Sequence, residues 1–151
     1  MHTIKIPTLQ TFFDQIQDLI DDHGLIVIGS SNQNKTSWAG YEVMNVLLNK
    51  FGRTSDIVTM GDLDQYTDRG QYRVASLDEI RAGMIVYGGA IRSLEKANLL
   101  LEAAKTCPVV AITHCFSPVV RFKDMGCDMK QVHEVVKAVF VFEDAPDFRG
   151  L

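Results

Sequence analysis

Residues 25–37 read Leu-Ile-Val-Ile-Gly-Ser-Ser-Asn-Gln-Asn-Lys-Thr-Ser, and the switch at Gly29 from apolar to polar decides the fold. Four aliphatic residues in a row, without polar alternation, have the pattern of a strand buried on both faces. Similar runs recur at 84–87, 109–112 and 139–142, with a weaker fifth at 57–60. Segments with helical spacing lie between them. Trp38, Tyr41, Met44, Leu47, Leu48 and Phe51 mark one helix, stopped by Gly52; Leu94, Ala97, Leu100, Leu101 and Ala104 mark another; Met129, Val132, Val135 and Val136 mark a third. Parallel strands need crossover connections, so this alternation predicts a three-layer αβα sandwich, Rossmann-like, with a five-stranded, mainly parallel sheet.

Ahead of the first run, Leu9, Phe12, Phe13, Ile16, Leu19 and Ile20 share one helical stripe, with Pro7 near its start and Gly24 past its end. The chain is therefore expected to open on a helix. Residues 61–75 read as a long irregular loop. A length of 151 residues suits a single α/β domain spanning 1–151.

Composition narrows the partners. The net charge is -4 with scattered Lys and Arg, which argues against nucleic acid. No apolar run approaches a membrane span, and residues 1–7 lack a basic segment followed by an apolar one, so a cytoplasmic protein without membrane contact is expected. Cys107, Cys115 and Cys127 form an odd set without CxxC, which fits reduced thiols. His114, Cys115, Cys127 and His133 match no zinc spacing, and no metal is assigned.

In an open parallel sheet, ligands bind beyond the carboxyl ends of the strands. The first candidate loop offers Gly29 for a turn, the hydroxyls of Ser30, Ser31, Thr36 and Ser37, the amides of Asn32, Gln33 and Asn34, and the charge of Lys35. Those groups suit a phosphate, although the same residue types cap helices and form turns. The second loop, Gly88-Gly89-Ala90-Ile91-Arg92-Ser93, offers close backbone approach at its glycines, a guanidinium and one hydroxyl. Gly29, four residues, then Asn34-Lys35-Thr36 differs from the nucleotide P-loop pattern GxxxxGK[ST] by Asn for Gly. Against a P-loop ATPase, neither the run at 84–87 nor that at 109–112 ends in an acidic residue to hold Mg²⁺. The first loop also resembles the FMN-phosphate loop of flavodoxins, with Trp38 and Tyr87 as rings to stack on, so FMN is the alternative cofactor to none.

A wider resemblance follows from Thr36-Ser37-Trp38-Ala39-Gly40-Tyr41-Glu42-Val43 through Gly52, then 57–66 with Asp62-Leu63-Asp64-Gln65-Tyr66, and from 83–113. Together these segments resemble the sugar isomerase (SIS) domain family over about two thirds of the chain. The family's Ser-x-Ser-Gly-x-Thr phosphate loop is replaced here by Gly88 to Ser93. The resemblance implies a phosphorylated sugar as ligand, a homodimer or homotetramer, and an aldose/ketose phosphate isomerase or a ligand sensor. Isomerisation needs a proton-moving base and an acid. His114, at the end of the fourth strand, is the first candidate; Glu42 and Glu95, in early helical turns, follow. The third class is a non-catalytic subunit or scaffold.

Overall fold

Apolar runs without polar alternation become strands because only a doubly covered sheet removes both of their faces from water. The computed structural model describes residues 2–6, 22–29, 44–45, 57–60, 73–74, 76–113, 115 and 117–142. All five expected strands are present: β2 (Gly24–Gly29), β3 (Ile57–Thr59), β5 (Ile85–Ala90), β6 (Pro108–Thr113) and β7 (Val136–Phe142). Two more flank them at the outer edges, β1 (His2–Ile6) and β4 (Arg73–Val74). The seven strands pair in the order β1-β7-β2-β6-β5-β3-β4, every pair parallel.

The edge strands correct two expectations. A strand stands where the chain was expected to open directly on a helix, and the stretch 61–75, expected to be loop throughout, contains β4. Both escape an apolar-run criterion for a physical reason. His2-Thr3-Ile4-Lys5-Ile6 alternates in polarity, as an edge strand does, and β4 is two residues long. Residues 7–21, over which the leading helix is predicted, and residues 61–72 lie outside the described residues.

Three helices pack together on one face. Helix α1 (Leu94–Ala103) buries Ala97, Leu100, Leu101 and Ala103. Helix α2 (Pro118–Met125) begins with proline, whose missing N–H costs nothing in the first turn, and ends at Gly126 with φ of +92°. Helix α3 (Met129–Val135) starts where the Asp128 carboxylate accepts from the Lys130 amide at 3.0 Å. It joins β7 without an intervening residue, since Val136 is both its cap and the first residue of the strand. Val136 was expected inside the helix.

The core under these helices includes Leu25, Val27, Val86, Val109, Ala111 and Val139, together with Leu100, Phe122 and Val132 from the helices. The opposite face, with Ile26, Ile28, Tyr87, Val110, Ile112 and Phe140, is equally buried, and Met44 in a helical turn is buried as well. Both faces are thus covered, as expected for the α/β fold. No helix among the described residues is long and apolar enough to cross a membrane.

Strand order positions the site. The chain leaving β2 travels past β6 and β5 to reach β3, whereas the chain leaving β6 returns past β2 to reach β7. Adjacent strands whose connections depart in opposite directions leave a crevice at their carboxyl ends. Here that crevice lies between β2 and β6.

Candidate functional site

The second candidate loop is mostly not a loop. Strand β5 runs to Ala90, and its register against β6 shifts between Tyr87 and Gly89, which makes Gly88 a bulge residue. A Cβ on Gly88 would lie 2.6 Å from Leu100 Cδ1, so this glycine lets α1 sit close to the sheet. Gly89 adopts φ of +63°, where glycine is favoured. Both glycines are buried within the sheet and serve packing and backbone conformation, rather than the open approach to a ligand expected of them.

The polar residues that follow divide between local and free roles. The Ser93 hydroxyl accepts from the Lys96 amide at 3.2 Å, capping α1. Glu95 is exposed in the first turn of α1, where a carboxylate favours the helix dipole. Arg92 is exposed and has no hydrogen-bond or ion-pair partner among the described residues.

Arg92 instead lines a cavity of about 320 Å³ with Ile91, Thr113, Cys115 and Arg121. The cavity lies at the carboxyl ends of β5 and β6, where the Ile91 amide donates to the Ile112 carbonyl at 2.9 Å and ties the two ends together. Thr113 is 1% exposed and its hydroxyl has no hydrogen-bond partner among the described residues. A buried hydroxyl left unmatched costs about 1–3 kcal/mol, so its presence needs a reason. Arg121, in the first turn of α2, is exposed and likewise unpaired among the described residues. Cys115 is half-buried, while Cys107 and Cys127 are buried, and burial pushes both of their thiols up.

This cavity lies beside Gly29, where the first candidate loop begins. Gly29, the last residue of β2, pairs with Thr113 in the parallel register, a neighbouring strand being about 4.8 Å away. A Cβ on Gly29 would lie 2.7 Å from the Cys115 carbonyl oxygen and 2.8 Å from Pro118 Cγ, so β2 abuts the turn leading into α2. Ser30, Ser31, Asn34, Lys35, Thr36 and Ser37 lie outside the described residues, as do Trp38, Glu42 and His114. What the structure establishes is that the two candidate segments depart from the same edge of the sheet, separated by β6 alone.

Thr113 and Cys115 join this cavity only through strand order, and Arg121 was missed because α2 was missed. Its signals were present: Ser117-Pro118 at the start and Gly126 eight residues after Pro118. Among the described residues no group of three His, Cys, Asp or Glu side chains is placed to hold a metal ion.

No protein-family profile matches the chain, and no curated protein matches it. Solved structures do. The Yersinia pseudotuberculosis ATPase DotB superposes with a TM-score of 0.55 at 12% identity, over 87% of this chain and 41% of that one. The Legionella pneumophila ATPase DotB gives a TM-score of 0.47 at 16% identity, over 89% and 43%. The chain thus spans about two fifths of the length of either protein.

The first likeness is one of fold, and it corrects the functional expectation, because the protein sharing the fold is an ATPase rather than a phosphosugar isomerase or an FMN protein. The isomerase, phosphosugar-binding and FMN readings fall with it. Geometry supplies physical reasons. The segment matched to the sugar-phosphate loop is strand, bulge and helix cap. Tyr87, expected as a ring to stack on flavin, is fully buried in the sheet. A flavodoxin-type sheet places the first core strand between the second and third, whereas β2 lies between β6 and β7.

Proposed function

We propose that this chain is a nucleoside-phosphate-binding α/β domain that does not support metal-dependent hydrolysis. One observation carries the reading: β2, a central parallel strand, ends at Gly29 on the reversal edge of the sheet, where Gly29 opens the near P-loop spelling that runs to Asn34-Lys35-Thr36. Backbone N–H groups, hydroxyls and one lysine after such a strand suit the phosphates of a nucleotide, and Asn tolerates the left-handed conformation that the pattern's second glycine supplies. The ATPase fold neighbour supports the nucleotide over other phosphorylated ligands.

Hydrolysis is omitted on chemical grounds. Strand β5 ends in Gly88-Gly89-Ala90 and β6 in Ile112-Thr113, so neither strand end presents the carboxylate that would hold Mg²⁺ against the phosphates. Thermal shift with ATP, ADP and AMP tests binding, since a ligand at about 100 times its dissociation constant stabilises by ~2.7 kcal/mol. Lys35→Ala should remove the shift, and wild-type protein should release no phosphate from ATP with Mg²⁺. Absence of a shift with any nucleotide would end the binding reading; Mg²⁺-dependent turnover would end its non-hydrolytic part.

A further inference from the structure

We infer that the cavity lined by Arg92, Thr113, Cys115 and Arg121 is a metal-independent seat for a phosphoryl group. Three independent features converge there. Two guanidiniums from different elements, one after β5 and one on α2, line the same cavity of about 320 Å³, and neither has a counter-charge among the described residues. Two cations facing one space repel each other until an anion enters between them, and guanidinium geometry matches phosphoryl oxygens bidentately. Thr113, 1% exposed, also lines the cavity, and its hydroxyl, unpartnered among the described residues, is a donor that a phosphoryl oxygen would satisfy.

Overall charge argues that this concentration is local. The chain carries -4, so two arginines at one cavity, unpaired among the described residues, are not part of a general basic surface. The volume corresponds to about ten waters at their share of liquid volume, enough for an anion with part of its hydration. Positive charge that a metal ion would bring elsewhere is supplied here by the protein itself, at strand ends that carry no carboxylate to hold a metal. The inference deepens the nucleotide reading by assigning the terminal phosphoryl group to this cavity, and rests on that reading only for the rest of the ligand.

Cys115 provides a reporter in the cavity wall, since it is half-buried while Cys107 and Cys127 are buried and serve as internal controls. The experiment follows iodoacetamide labelling of Cys115 by peptide mass spectrometry on the intact chain, in EDTA, with inorganic phosphate or pyrophosphate against sodium chloride of equal ionic strength. Phosphate at ten times its dissociation constant should slow labelling about tenfold. Arg92→Ala and Arg121→Ala should each raise the concentration needed by about tenfold or more, with circular dichroism unchanged because both side chains are exposed. Protection matched by sodium chloride, absent altogether, or unaltered in both variants overturns the inference.

ATP and Lys35→Ala separate this inference from the nucleotide reading. Arginine-dependent protection by pyrophosphate, with no Lys35-dependent response to ATP, upholds the cavity and removes the nucleotide. Lys35-dependent ATP binding that leaves Cys115 unprotected removes the cavity alone.

Discussion

The ends of β5 and β6 are neighbours in the sheet, and they treat their polar groups in opposite ways. At the end of β5 every need but that of the Arg92 guanidinium is met locally: Leu100 fills the space beside Gly88, the Ser93 hydroxyl caps α1, and the Ile91 amide bonds to Ile112. Thr113 at the end of β6 and Arg121, which lines the same cavity, both lack a partner among the described residues. Glycines and a serine drew attention to the first end, although the buried unmatched hydroxyl is at the second. An unmet hydrogen-bonding requirement is a better pointer to a ligand than a composition that suits one, because composition is equally consistent with caps and tight packing.

Substitutions can break this contrast. The largest effect is expected at Gly29, where an alanine Cβ meets backbone at the Cys115 carbonyl and the rigid ring of Pro118: Gly29→Ala should cost about 3 kcal/mol in urea unfolding. Gly88→Ala meets the end of a leucine side chain and should cost about 2 kcal/mol, leaving any phosphate response of Cys115 in place. A stability loss at Gly88 below a few tenths of a kcal/mol would deny it the packing role. Ser93→Ala should cost about 1 kcal/mol through the lost cap, again without changing phosphate protection.

Thr113→Val is expected to move the other way. Replacing an unmatched buried hydroxyl by a methyl should leave unfolding free energy unchanged or raise it by about 1 kcal/mol, while weakening phosphate protection. A destabilised variant would mean that the hydroxyl has a structural partner, and the contrast between the two strand ends would be lost. The smallest effect is with pH. Burial holds the Cys107 and Cys127 thiols above their usual range, so the folded state keeps protons that the unfolded state releases. Their contribution is present below the unfolded thiol pKa and lost as pH rises through the folded values. Stability should therefore fall as pH rises above about 9, and less steeply in Cys107→Ala; equal slopes would exclude Cys107 as a cause.

Much of the scaffold was legible because the central strands are doubly buried and carry uninterrupted aliphatic runs. The β1 and β4 edges were not, since one alternates and the other is too short to carry a pattern. Helix α2 escaped because it buries only Pro118 and Phe122, too few to mark an apolar stripe, although its proline and glycine marked both ends. Arg92 follows the carboxyl end of β5, as the sequence indicated, yet its companions in the cavity, Thr113 and Arg121, depend on strand order, which brings β6 next to β5 and no local spacing encodes. The isomerase function implied by the sugar-isomerase resemblance was overturned for a related reason: a strand, a hydroxyl-rich loop and an amphipathic helix form a unit that many α/β sheets repeat, and only the way the units are ordered tells them apart.

The direct passage from α3 into β7 removes any slack between them. Because side chains along a strand alternate faces, one extra residue between Val135 and Val136 would turn Val139 and Val141 away from the helices and Phe140 toward them, unless the last turn of α3 unwound to absorb it. Insertions that surface turns accept readily should be rejected at this junction, and the spacing from Asp128 to Phe142 acts as a fixed ruler for the middle of the sheet.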